Sequence, residues 1–160
     1  MADLKLAANF WLSEFIRSEI ASKEEIDNTP DQKRIENIRY LCTQVLQPIR
    51  DYFGAELIIT SGFRCDALNK LVGGSPSSQH MCRRGYAAAD FTVKGIPNED
   101  VIDMVRFVTS PSGALIDFDK VIAEPGWIHI SSHRPRRQFY VANKSHKGEM
   151  VYNLVQSLRG

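Results

Sequence analysis

The chain has little cysteine. Cys42, Cys65 and Cys82 are its three thiols, and no Cys-x-x-Cys pair occurs. An odd count without paired spacing excludes a disulfide framework, and the thiols are expected to stay reduced. Long apolar runs are missing too: none approaches the roughly 20 residues that a bilayer crossing needs. Met1 to Phe15 carries Asp3, Lys5 and Glu14 among its apolar residues. It lacks the clean apolar core and small-residue cleavage site of a signal peptide. An excess of one charge is also absent, with 20 basic and 19 acidic residues and a net charge of +1. No global pull toward nucleic acid or a membrane surface follows from that balance. There is no internal repeat, low-complexity tract or linker. A His-Glu-x-x-His helix, a P-loop and a Gly-x-Gly-x-x-Gly turn are likewise missing, which removes the common helix-borne metal and phosphate motifs.

What is present reads as an ordinary globular protein. The 160 residues are 43% apolar and 24% charged, enough to bury roughly 70% of the unfolded surface without staples. One domain is expected over residues 1–160, with a helical entry segment to about residue 55 and a sheet-bearing region after it. In the entry segment Phe10, Trp11, Leu12, Phe15, Ile16 and Ile20 suit a short helix or turn laid on a core. Thr29-Pro30-Asp31-Gln32 reads as a helix start, with Thr29 as cap, Pro30 at the first helical position and Gln32 closing a capping box. Ile35, Ile38, Leu41, Val45, Leu46, Ile49 and Tyr52 then recur at helical spacing up to Phe53-Gly54. Strands are expected at Leu57–Thr60, Ala87–Val93, Val121–Ala123 and Trp127–Ile130, the last two joined across Pro125-Gly126. Ala67–Val72 suits a short helix ended by Gly73-Gly74, and residues 74–78 a loop. Pro97-Asn98-Glu99-Asp100 opens another helix, with Val101, Ile102, Val105 and Val108 on its core face. Phe139–Ala142 and Val151–Leu154 are further short apolar runs. Helices followed by hairpin-like strands predict an α+β fold, a mostly antiparallel sheet with flanking helices.

Four histidines are available for chemistry: His80, His129, His133 and His146. His80 ends the Ser/Gly/Pro loop, just before the expected strand that contains Asp90. His129 lies inside another expected strand, five residues after Glu124. Zinc takes nitrogen ligands and tolerates a carboxylate, and catalytic sites often use three protein ligands. His80, Asp90 and His129 are such a set, and a nearby glutamate can serve as a proton acceptor. The same residues are also readable as a loop histidine and a hydrogen-bonded strand histidine. A Cys–His nucleophile pair through Cys82 or Cys65 is a further alternative that spacing leaves open.

Several blocks in order carry a resemblance. They are Leu12-Ser13-Glu14-Phe15, Ile26-Asp27-Asn28-Thr29-Pro30, Leu46-Gln47-Pro48-Ile49-Arg50, Ser61-Gly62-Phe63-Arg64, Leu68-Asn69-Lys70, Val72 to His80, Ala88-Ala89-Asp90-Phe91 and Trp127-Ile128-His129-Ile130-Ser131. Together they resemble the zinc D-Ala-D-Ala carboxypeptidase family of murein peptidases, related to lysostaphin-type peptidases and the hedgehog domain. The resemblance implies a zinc site of His80, Asp90 and His129, with Glu124 as general base. It implies that Arg64 holds a substrate carboxylate or a polarised carbonyl, and that Ser78 contacts substrate. Trp127, beside His129, is a candidate for the cleft wall or for half-buried core. Two departures stand out. Asp90 follows His80 by ten residues, three more than in the family pattern, with the extra residues within Met81-Cys82-Arg83-Arg84. Ala87 occupies the usual aspartate position. Glu124-Pro125-Gly126-Trp127-Ile128-His129 is also one residue shorter than the matching stretch in some relatives.

The resemblance implies a peptidase that cuts a peptide bond in the stem or cross-link of peptidoglycan. A phage lysis protein aided by a pore-forming partner, or a virion component, is the expected setting. That implies synthesis in a bacterial cytoplasm and action on the cell wall or periplasm, as a monomer. The alternative is a non-catalytic peptidoglycan-binding or phage structural protein on the same fold. The Arg134, Arg136 and Arg137 group is read as a solvated loop or as a contact to an anionic wall polymer.

Overall fold

The computed structural model describes residues 2–107, 116–133 and 135–157. A small ribbon of β1 (Lys5–Ala7) and β2 (Phe10–Trp11) leads into α1 (Leu12–Ile16) and α2 (Glu19–Lys23). Helix α3 (Gln32–Leu41) runs through a π-helical turn (Cys42–Leu46) into α4 (Gln47–Phe53). The remaining elements are β3 (Leu57–Ser61), α5 (Asp66–Leu71), β4 (Ala87–Val93), α6 (Asn98–Phe107), β5 (Lys120–Glu124), β6 (Trp127–Ser132), β7 (Gln138–Lys144) and β8 (Met150–Ser157). β3 to β8 form one sheet in the order β3-β4-β6-β5-β7-β8. Among the described residues every pairing in it is antiparallel except β5 with β7. The fold is α+β, with a mixed sheet.

The strands alternate because one face of the sheet is covered. Ala87, Ala89, Phe91 and Val93 of β4 and Ile128 and Ile130 of β6 enter the core, together with Leu41, Val45, Leu46 and Ile49 from the helical segment. Asp90 and Thr92 on β4, and Trp127 and His129 on β6, point to the other face. That open face carries the chemistry.

The long helix departs from its expectation in two places. Its cap is Asp31, not Thr29: Asp31 Oδ1 accepts from the Arg34 amide at 2.9 Å. Thr29 sits in a turn, where its amide donates to Asp27 Oδ1 at 3.0 Å. Gln32 reaches Glu36 rather than the cap. Both Thr and Asp can cap, and a carboxylate also complements the helix dipole. The second difference is the wide turn at Cys42–Leu46. Pro48 has no N–H for the carbonyl four residues back, and the ladder widens over that gap. Cys42, Val45 and Leu46 stay buried through it. Tyr52, expected on the apolar stripe, is 47% exposed and packs edge-on against Phe53. Trp11 and Ile20 of the entry segment are exposed as well. Val108, expected on the core face of α6, lies outside the described residues.

The parallel β5–β7 pairing makes the chain cross itself. After β6 the chain returns to the start of β5, where the Arg137 amide donates to Phe118 O and the Gln138 amide to Asp119 O. Asp119 is fully buried at that crossing. The Arg136 guanidinium grips it through Nε–Oδ1 at 2.6 Å and Nη2–Oδ2 at 2.8 Å, and Gln79 donates to Oδ2 at 2.8 Å. Arg137 pairs with Asp117 at 2.8 Å. Arg136 and Arg137 are therefore ion-paired rather than a freely solvated loop; Arg134 lies outside the described residues. No helix among the described residues is long and apolar enough to cross a membrane.

Candidate metal centre and its cleft

Three side chains from separate elements meet on the open face. In the β4–β6 register Asp90 stands directly opposite His129, so their side chains share a face. His80 arrives from the one-turn helix Gln79–Met81 that precedes β4. His129 Nδ1 lies 2.9 Å from Asp90 Oδ1, His80 Nε2 lies 3.3 Å from the same oxygen, and the two imidazole nitrogens are 3.2 Å apart. Ligand atoms about 2.0–2.1 Å from a tetrahedral zinc stand roughly 3.3 Å from one another. The donor types and their spacing fit such an ion, and among the described residues this is the one cluster of its kind.

The surroundings prepare these groups. His80 Nδ1 is 2.7 Å from the Gly62 carbonyl. A carbonyl can only accept, so Nδ1 carries the proton and Nε2 presents its lone pair to the cluster. Burial would raise the Asp90 carboxyl, but its close contacts with the His129 and His80 rings outweigh that and hold the group well below the usual carboxylate range. Burial lowers His129 from its ordinary value although Asp90 opposes the shift. The two shifts favour a neutral His129 imidazole beside an ionised Asp90 carboxylate, the protonation states that metal ligands require.

The lengthened turn between His80 and Asp90 leaves the strand register intact. Cys82 and Arg84 adopt left-handed backbone at φ of 51° and 53°, and Gly85 follows at 84°. Met81 and Cys82 fold inward, while Arg83 and Arg84 stay exposed. Ala87 enters β4 opposite Ser132, in the core layer, and Asp90 is the carboxylate that reaches the open face. Cys82 lies under the His80 carbonyl, and burial pushes its thiol up to about 12. It stays protonated and has neither a nucleophile's nor a ligand's ionisation. Cys65 caps α5, its sulfur accepting from the Leu68 amide.

Arg64 sits on a strongly braced loop. The Phe63 amide donates to Phe15 O at 2.7 Å, and the Arg64 amide to His80 O at 2.9 Å. Buried Asn28 donates to Ile16 O and Phe63 O and accepts from the Cys65 amide. Asn28 is a positioning residue that sequence reasoning quoted only as part of a block. A Cβ at Gly62 would meet the Phe15 carbonyl oxygen at 2.5 Å, which is why this position is glycine. The Arg64 guanidinium donates from Nη2 to Ser78 Oγ at 3.2 Å. Burial lowers Arg64 from its ordinary value while the nearby Asp90 charge opposes that. Ser78 Oγ also accepts from the His80 amide at 3.3 Å. Its hydroxyl holds the histidine turn and Arg64 together.

Glu124 ends β5. Its strand neighbour Ile122 stands opposite His129, and Glu124 itself stands opposite Trp127 across the Pro125-Gly126 turn. Two residues of strand place Glu124 on the same face, about 7 Å further along. Burial raises its carboxyl above the ordinary glutamate range, and the Asp90 charge adds to the rise. Trp127 is 38% exposed beside it. Sequence reasoning missed Tyr152 of β8. It pairs with Ala142, two residues beyond the Tyr140 that pairs with Ile122, which puts it on this face; burial raises its phenol, and the negative charges of Glu124 and Asp90 raise it further. Its place depends on the β5–β7–β8 order, which no local signal reveals.

Two clefts meet at the Arg64–Ser78 contact. One, of about 730 Å³, runs along Ile58–Arg64 and past Arg17 to Ile20. The other, of about 680 Å³, lies between residues 76–79, the lengthened turn, Lys120 and Arg136.

The family model described as Peptidase M15 matches residues 8–131. No curated protein and no solved structure matches the chain.

Proposed function

The chain belongs to the peptidase M15 family, and from that premise we propose that it is a zinc-dependent peptidase acting on bacterial peptidoglycan. The observation that carries the metal reading is the convergence of His80, Asp90 and His129, all within 3.3 Å of one another. These residues would hold the ion. When bound, zinc supplies Lewis acidity that polarises a carbonyl and eases loss of a proton from water. Glu124, whose carboxyl is raised by burial and by the Asp90 charge, would accept a proton from water and pass it to the leaving amine. Arg64 offers a planar fork of donors to a substrate carboxylate or to the developing oxyanion. Ser78 keeps that fork in place. Peptidoglycan as substrate rests on the family resemblance; so does the phage setting, in which a pore-forming partner or a virion would bring the protein to the wall.

The test is digestion of purified peptidoglycan with and without chelator, with released fragments read by mass spectrometry. New amino and carboxyl termini that vanish with chelator and return with zinc are the expected result, and their identity names the bond. Glu124→Gln should keep stoichiometric zinc and lose cleavage. Intact peptidoglycan from several wall chemistries, with zinc bound, would overturn the peptidase reading in favour of a binding protein.

A further inference from the structure

The cleft of about 680 Å³ beside the metal-ligand cluster is lined by Arg83, Arg84, Lys120 and Arg136, and none of its lining residues is a carboxylate. That is unusual in a chain with a net charge of only +1. Arg136 is held by Asp119 and Arg83 by Asp66, which lies outside the lining. Among the described residues Arg84 and Lys120 form no ion pair. The Lys120 ammonium instead lies over the Tyr140 ring, 5.4 Å from its centroid. Two of the four cations come from the lengthened turn that follows His80. Its left-handed residues turn Met81 and Cys82 into the core and leave Arg83 and Arg84 at the rim of the cleft.

We propose that this cleft is an anion subsite that binds a carboxylate of the peptide substrate, one displaced from the scissile bond toward the Ser78 side of Arg64. The proposal rests on the peptidase reading above and names the kind of substrate. A volume of this size admits a peptide residue or two. Guanidinium groups match a carboxylate through paired donors, and an anion there relieves the mutual repulsion of the cations. Burial and the Arg136 charge both lower Lys120 from its ordinary value, as expected of an ammonium crowded by a like charge.

The experiment uses two peptidoglycan stem peptides, identical except that one residue carries a free carboxylate or a carboxamide. Binding to the zinc-loaded protein is measured by calorimetry and cleavage by chromatography, for the wild type, Lys120→Met and Arg84→Gln. The wild type should bind the carboxylate peptide about tenfold more tightly, the scale of a charge-assisted hydrogen bond. Both variants should lose most of that preference. Arg84 is exposed on the turn, so Arg84→Gln remains a test if Lys120→Met fails to fold. Equal binding of the two peptides by the wild type, or an undiminished preference in the variants, overturns the subsite. Inorganic phosphate that competes better than the carboxylate peptide overturns the assignment to a carboxylate. Preferential binding without any cleavage sinks the peptidase reading and leaves the subsite standing. Cleavage without preference does the reverse.

Discussion

Replacing Gly62 by alanine tests how the backbone prepares the candidate metal centre. The added methyl would meet the Phe15 carbonyl oxygen at 2.5 Å, its Cα at 2.7 Å and its carbonyl carbon at 3.0 Å. All three are backbone atoms, so no side chain can swing aside. Relief needs a shift of the two segments by several tenths of an ångström. That shift strains the Phe63 amide bond to Phe15 O, now 2.7 Å. Overpacking of this kind costs about 1–3 kcal/mol, and a weakened hydrogen bond adds about 1 kcal/mol. For a chain of this length the sum lowers Tm by roughly 4–16 °C. The Gly62 carbonyl also fixes the His80 tautomer, so zinc affinity should fall about 10–100-fold, as for other supporting contacts to a ligand histidine. Thermal melts of the zinc-free protein and a competitive zinc titration read the two effects separately. Gly62→Ala that melts within a degree of the wild type and takes up zinc equally well would refute the reasoning.

Three other outcomes follow from the same geometry. Asp119→Asn leaves the Arg136 grip unsatisfied; because Arg136 is 36% exposed, the loss falls below that of a fully buried pair, about 2–3 kcal/mol in a denaturant titration. Glu124 must be ionised to accept a proton, and burial and Asp90 raise its carboxyl. The acid limb of kcat/KM against pH should therefore lie above the ordinary glutamate range, with activity lost as pH falls through it, and an acid limb at the unshifted glutamate value contradicts the assignment. Chelation should lower Tm, since zinc at a hundred times its Kd stabilises by about 2.7 kcal/mol, and a melt indifferent to chelator and zinc would count against the site.

Much of this was legible in the sequence because it is local. Ala87–Val93 reads as a strand, and from Ala89 onward its burial alternates as a one-sided sheet requires. The β5–β6 hairpin is marked by Pro125-Gly126 between two β-branched runs, and that hairpin sets the Asp90–His129 pairing once β4 adds to it. What escaped depends on distant partners. Asn28 and Asp119 are single polar residues whose burial follows from chain segments 12 to 40 positions away. The charge cluster at Arg136 reads as surface until Asp119 is brought beneath it. The wide turn before Pro48 is invisible to periodicity, because its buried residues still recur at intervals that a regular helix would show.

The self-crossing at the start of β5 has a kinetic consequence. The β5–β6 hairpin closes a loop of two residues, whereas β7 can pair with β5 only after the chain leaving β6 has returned to the strand's entrance. Local closures precede distant ones in the folding of mixed sheets. By that order the clasp between Arg136 and Asp119 is expected late in folding, so loosening it should leave refolding speed nearly untouched while hastening unfolding, two rates that a denaturant series reads separately. It acts as a latch whose value is measured in lifetime.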